Sequence, residues 1–221
     1  MKKVIFLLIL YFLSIAVLNA AIVPPGTISA TASQEDYTGA AMNAVNGVGL
    51  ATAPGPDALH SAGSWQSFNC GYTIPGEAVI LDIDLGTAYQ LSGMYVWNYN
   101  GNAPDWPHEA DTGWYDCKIE YSVDGISYSY LSDNILSINW PGDPEYGVWP
   151  FHKQATIDLA GITARYIRLT NTQNWATAAQ TGGNQNYRIL SEVAFEVVPE
   201  PASIMLLGLG SLALIRKRRI S

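Results

Sequence analysis

Five of the seven tryptophans stand where their chemistry could be offered to a ligand. Trp106 and Trp114 fall in "NGNAPDWPHEADTGW", Trp140 and Trp149 in "NWPGDPEYGVWPFH", and Trp175 in "NTQNWATAAQ". These stretches are rich in Gly, Pro, Asn and Asp, which mark loops. An indole carried on a loop presents a flat apolar face with a polar edge, a surface suited to the C–H face of a pyranose ring. Asn98, Asn100, His108, His152, Asn174 and Arg188 lie close by in sequence and carry the donors and acceptors that sugar hydroxyls need. The same indoles have a second use, wedging long loops onto a core, and sequence leaves both roles open for each of them.

Bond-breaking chemistry is poorly represented. "HEAD" at His108–Asp111 lacks the second histidine of a helical zinc-protease motif, and His60, His108 and His152 stand far apart with no Cys₂His₂ framework around them. Ser64 in "GSW" lacks the glycine that follows the serine of a nucleophile elbow. Asp105, Glu109 and Asp111 offer a carboxylate pair of the glycosidase kind, but an acidic loop at the surface is equally explained by hydration. The expectation is a protein that is not an enzyme.

The elements that must hold these loops are strands. In "AVILDIDLG", Val79, Leu81, Ile83 and Leu85 alternate with Asp82 and Asp84, a half-buried strand. "YDCKIEYS" repeats the pattern with Cys117, Ile119 and Tyr121, and Asp124-Gly125 then supplies a hairpin turn. "ISATAS", "QLSGMYVWNY", "QATIDL", "ARYIRLT" and "SEVAFEVV" are further strands, and no segment between residues 27 and 198 sustains a helical apolar period. An all-β sandwich with long loops follows. Arg165 and Arg168 in "ARYIRL" have two uses, ligand binding or ion pairing, and Arg168 is expected to pair across strands with Asp82 or Asp84. Cys70 and Cys117 are either bridged, closing a loop of 48 residues and adding about 4 kcal/mol on a chain-entropy model, or two buried free thiols.

Both ends of the chain read as addresses. Lys2 and Lys3, an apolar run from Val4 to Leu18, and small residues at Ala20 and Ala21 have the order of a secretory signal peptide over residues 1–20. At the other end an uncharged run of 14 residues, Ala202–Ile215, precedes Arg216, Lys217, Arg218 and Arg219. As a helix that run covers about 21 Å, a marginal transmembrane length for a hydrocarbon core of about 30 Å. With Pro199-Glu200-Pro201 before it, residues 199–219 resemble the PEP-CTERM sorting signal of Gram-negative bacteria. The resemblance implies export across the inner membrane by way of signal peptidase, transient insertion of the tail, cutting near the motif by an exosortase-type enzyme, and a final place in the cell envelope, outer surface or extracellular matrix. Residues 21–201, the stretch left after processing near the motif, keep five basic residues against 19 acidic ones, a net charge of −14 that repels nucleic-acid backbones.

Taken in order, "ISATAS", "NAVNG", "AVILDIDLG", "SGMYVWNYN", "KIEYSVDGISY", "ARYIRL" and "LSEVAFEV" make residues 27–198 similar to the discoidin family, also called the coagulation-factor type C domain, which overlaps the family-32 carbohydrate-binding modules. The resemblance implies an eight-stranded jelly-roll β-sandwich of the galactose-binding type, with ligand recognised by loops at one end. It also implies a structural calcium ion where the loop after the first strand meets the last strand. The matching residues here are Asn46, Gly49, Asp57 and Glu192; Asn46 stands where many calcium-binding relatives carry Asp, and it serves equally as part of a tight Asn-Gly turn. Two functions follow as expectations. One is a surface-directed module binding carbohydrate or exopolysaccharide through Trp106, His108, Trp114, Trp140, Trp149, His152, Trp175 and Arg188. The other is a structural or adhesive matrix protein with no small-ligand site.

Overall fold

A computed structural model describes residues 21–36, 39–51, 54–60, 67–71, 77–101, 109–138, 150–180 and 186–198. The signal peptide expected over residues 1–20 and the sorting tail at residues 199–219 lie outside the described residues. Among the described residues no helix is long and apolar enough to cross a membrane.

Eight strands carry the fold: β1 (Ala21–Ile22), β2 (Ser29–Ala32), β3 (Phe68–Asn69), β4 (Val79–Asn98), β5 (Asp116–Ser122), β6 (Ser129–Ile135), β7 (Ala155–Asn171) and β8 (Ile189–Val197). Among the described residues one short helix, α1 (Trp175–Ala179), accompanies them, together with single 3₁₀ turns. The strand order is β1-β8-β4-β7-β5-β6, with β2 on β4 and β3 on β8. The pairings given for β2 to β8 are antiparallel.

The long strands β4 and β7 serve both layers. Residues 79–84 of β4 pair with residues 166–171 of β7 and with β2, while residues 89–96 pair with residues 155–164 of β7 and, through residue 98, with β8. The first layer is thus β2, the first half of β4, the second half of β7, then β5 and β6. The second layer is β8 with the remaining halves.

Local sequence makes the bends. Gly86 takes φ +82°, and a side chain there would come within 2.7 Å of the Thr27 carbonyl. Ala160 and Gly161 turn β7 with φ values of 53° and 69°. At each bend an aspartate two residues earlier accepts an amide hydrogen bond: Asp84 Oδ1 from Gly86 N at 2.8 Å, and Asp158 Oδ1 from Ala160 N at 2.7 Å.

Alternation works as read. Leu81, Ile83 and Leu85 point inward with Met94, Val96, Ile119, Ile167, Leu169, Val193 and Phe195 to form the main core. Tyr95, Trp97 and Ala194 point the other way, and Leu50, Ala58 and Phe151 pack over them. Cys70 and Cys117 are both buried free thiols, so the bridge is not formed. Burial pushes the Cys70 thiol up to about 12 and raises that of Cys117 as well, which leaves both unreactive.

Candidate functional site

Register fixes where the loops leave. Val79 pairs with Asn171 and Val96 with Ala155, so both ends of β4 and both ends of β7 reach the same end of the sandwich. Asp116 pairs with Ile135 at that end too. The strand ends from which the chain leaves at residues 99, 136 and 172 therefore lie at one end of the sandwich, and the stretches 99–115, 136–154 and 172–188 carry all five loop tryptophans in sequence.

Buried amides hold this end together. The Asn98 side chain accepts from the Trp114 and Tyr99 amides, each at 3.0 Å, and donates to the carbonyls of Trp114 (2.7 Å) and Ser137 (3.1 Å). One fully buried carboxamide thus ties β4 to two of the departing segments. Asn174 caps α1 by accepting from Thr177 N at 2.9 Å and donates to the Tyr187 carbonyl at 2.6 Å. Asp116 accepts from the amides of Thr172 (2.8 Å) and Gln173 (3.1 Å), from the Thr172 hydroxyl, and from the Asn171 carboxamide at 2.7 Å. These side chains brace loops; Asn98 and Asn174 do not face a ligand.

A second constellation lies on the outer side of β8. Glu192, opposite Trp97 in register, is 1% exposed, and its Oε1 accepts from Gly47 N at 3.0 Å. Its Oε2 has no hydrogen-bond partner among the described residues. Burial pushes the carboxyl up to about 8, with the Gly47 N–H opposing. Asn46 Oδ1 accepts from Val48 N at 2.8 Å, a local turn. Gly49 is buried because a side chain there would meet the His60 ring. Asp57 is exposed, next to Ala58, whose carbonyl accepts the Trp97 indole N–H at 3.0 Å. An orphaned, buried carboxylate oxygen is one donor that a hard cation would take, but among the described residues no three His, Cys, Asp or Glu side chains come together to complete a set, and Asn46 already uses its side-chain oxygen locally.

No curated protein matches the chain. Residues 197–219 match the PEP-CTERM protein-sorting motif. Among solved structures the chain is similar to CBM32-3 from a family 31 glycoside hydrolase of Clostridium perfringens, at 18% identity and TM-score 0.52, over 80% of this chain and 95% of that one. It is also similar to a fucose binding module of Streptococcus pneumoniae, at 15% identity and TM-score 0.51, over 81% of this chain and 96% of that one. At such identities the likeness is one of fold. The sandwich is a discoidin-like, galactose-binding-type fold.

Within this discoidin-like sandwich the expected ligand residues separate. Trp114 is fully buried, edge-to-face with Phe68 at 6.1 Å, and belongs to the core. Arg188 is fully buried too; its Nη1 donates to the carbonyls of Glu77 (2.5 Å) and Asn171 (3.2 Å), and burial lowers its pKa. Neither can touch a sugar, because each is needed inside the protein. Trp175 is half-buried, its indole N–H bonded to the Leu136 carbonyl at 2.7 Å and its ring edge-to-face with Tyr115 at 4.7 Å. His152 is exposed. Trp106, His108, Trp140 and Trp149 lie outside the described residues. The surface pairing expected of Arg168 is present: its Nε and Nη2 reach Asp82 at 2.6 and 3.1 Å, and Arg165 grips Asp84 in the same way at 2.8 and 2.9 Å.

Proposed function

We propose that this chain is an exported, non-catalytic binding module that recognises carbohydrate or exopolysaccharide with the loops at one end of its sandwich. The observation that carries this reading is that the strand ends leading into three tryptophan-bearing stretches lie together at that end. The residues assigned to contact are Trp106, His108, Trp140, Trp149 and His152, with Trp175 at the margin. The solved structures that share the fold include a fucose binding module, which supports sugar as the ligand class. The sorting motif supports a route through signal peptidase, transient inner-membrane insertion and exosortase-type processing to the envelope or matrix of a Gram-negative cell. Single Trp106→Ala, Trp140→Ala and Trp149→Ala variants test it. Loss of glycan binding at unchanged melting temperature supports recognition; loss of stability at unchanged binding moves these residues to packing.

A structural matrix protein without a ligand site is the second reading, and the packing roles of Trp114 and Trp175 favour it. A glycan array that stays blank with calcium present would select it. Calcium enters the proposal as a structural ion held by Glu192 with oxygens of the 46–49 turn and Asp57. Bound there, it would neutralise the buried carboxylate and anchor the turn on β8. A melting temperature that rises with calcium and falls with chelator supports the ion, and an unmoved transition removes it.

A further inference from the structure

We propose that the outer face of the first layer carries a second glycan site, a shallow cleft that takes pyranose units of a neutral polysaccharide. The cleft encloses about 310 Å³ and is lined by Ser29, Thr31, Asp82, Asp84, Tyr128, Tyr166 and Arg168, with Gly125 at its wall. Its volume is at the lower edge of small-molecule sites. It sits toward the opposite end from the tryptophan-bearing segments, since Asp84 and Tyr166 adjoin the bends of β4 and β7 and Gly125 and Tyr128 belong to the β5–β6 hairpin.

Polar groups here are arranged and unused. Each arginine gives Nε and Nη2 to its aspartate and keeps Nη1 for another acceptor. The hydroxyls of Tyr128 and Tyr166 bond to no described residue. Both rings are held before any ligand arrives: the Arg168 guanidinium lies 4.1 Å from the Tyr128 centroid and that of Arg165 lies 4.9 Å from Tyr166. Gly125, at φ +74°, lies against Tyr166, and a side chain there would stand 3.1 Å from the ring. Such prior ordering lowers the entropy lost on binding. Two phenols, two carboxylates and the guanidinium edge of Arg168 around ring-sized space match the alternating donors and acceptors of a pyranose.

Charge selects the kind of polymer. The Asp82–Arg168 pair within the cleft is neutral, Arg165 offsets Asp84 from beside it, and the surrounding chain is strongly acidic. A polyanion would be repelled, whereas a neutral chain could lie along the open groove.

The site is independent of the loop reading, and the test keeps them apart. The full chain, carried in a detergent without a sugar head group and labelled at glycine amides and tyrosine rings, is titrated by NMR with cellohexaose, xylohexaose and isomaltohexaose. The proposal requires shifts at Gly125, Tyr128 and Tyr166 with at least one of these probes. It also requires a tenfold or greater weakening in Tyr128→Ala and Arg168→Met, a smaller loss in Tyr128→Phe, and none in Trp149→Ala. Shifts confined to the loop end, or none with any probe, overturn it. Folding of each variant is verified from the amide spectrum, and Tyr128→Phe keeps the test valid if Tyr128→Ala fails to fold.

Discussion

Trp114 and Trp175, where the long segments leave the sandwich, are bound into the protein, whereas Tyr128 and Tyr166, near the bends, keep hydroxyls that no described residue uses. The crowded end has three segments to fasten, so its two described tryptophans go into packing and its amides into bracing: Trp114 joins Phe68, and Trp175 donates to Leu136. The open face has strands that are already fastened by their ladders, so its side chains only pair with one another. Aromatic residues near a loop are therefore weak evidence of a ligand surface until their polar edges have been accounted for.

The largest effect expected is at the crowded end. Trp114→Ala should cost about 3–5 kcal/mol in urea unfolding, as large aromatic deletions in cores do, while Tyr128→Ala should cost about 1 kcal/mol or less, as for surface substitutions. Equal costs would erase the distinction between the two regions.

Asn98→Ala follows. It takes this partner from the Trp114 and Tyr99 amides and from the Trp114 and Ser137 carbonyls, so a loss of about 2–3 kcal/mol is expected from the same measurement. A loss below that of a surface substitution would mean that the carboxamide does not brace the loops.

Glu192 gives a pH signature. Its folded-state pKa of about 8 lies above the ordinary 4.5, so the folded chain holds a proton that the unfolded chain has released. Stability from this group is complete below about pH 4.5 and declines as pH rises toward 8. In chelator at pH 8, Glu192→Gln should be more stable than the parent by on the order of 2 kcal/mol, and the two should converge near pH 4. Thermal unfolding across that range checks it; a parent that is the more stable at pH 8 would contradict the uncompensated burial.

The smallest effect belongs to the open face. Arg168 and Asp82 keep side-chain exposures of 32% and 37%, so Arg168→Met should cost under about 1 kcal/mol of stability. A much larger cost would make the pair a structural clamp rather than part of a cleft.

The sandwich was legible because alternation is a local signal: Leu81, Ile83 and Leu85 against Asp82 and Asp84 define a strand, its faces and its outer ion pair within a few residues. The Asp124-Gly125 turn was legible for the same reason, since Gly125 takes the positive φ that a hairpin needs. The bends in β4 and β7 were less visible, because Ala160 carries no turn signature of its own. Site residues were the hardest to place. Nothing near Arg188 in sequence says that it will donate to carbonyls at residues 77 and 171, and nothing near Asn98 says that it will clasp residues 114 and 137. The outer cleft is not legible in sequence, because pairing of β4 with β7 across more than eighty residues is what brings Asp82 to Arg168 and Asp84 to Tyr166. The facing Asp and Arg rows are a signal in the sequence, but one that an ion pair explains as readily as a ligand.

The central claim is recognition of a polysaccharide at the tryptophan-bearing end. Its most direct test is migration of the full chain, with detergent, through native gels containing polysaccharide extracted from the producing cells, beside Trp106→Ala, Trp140→Ala and Trp149→Ala. The account predicts retardation of the parent and its loss in at least one variant whose melting temperature is unchanged. Unretarded migration of the parent, or retardation that all three variants retain, would contradict it.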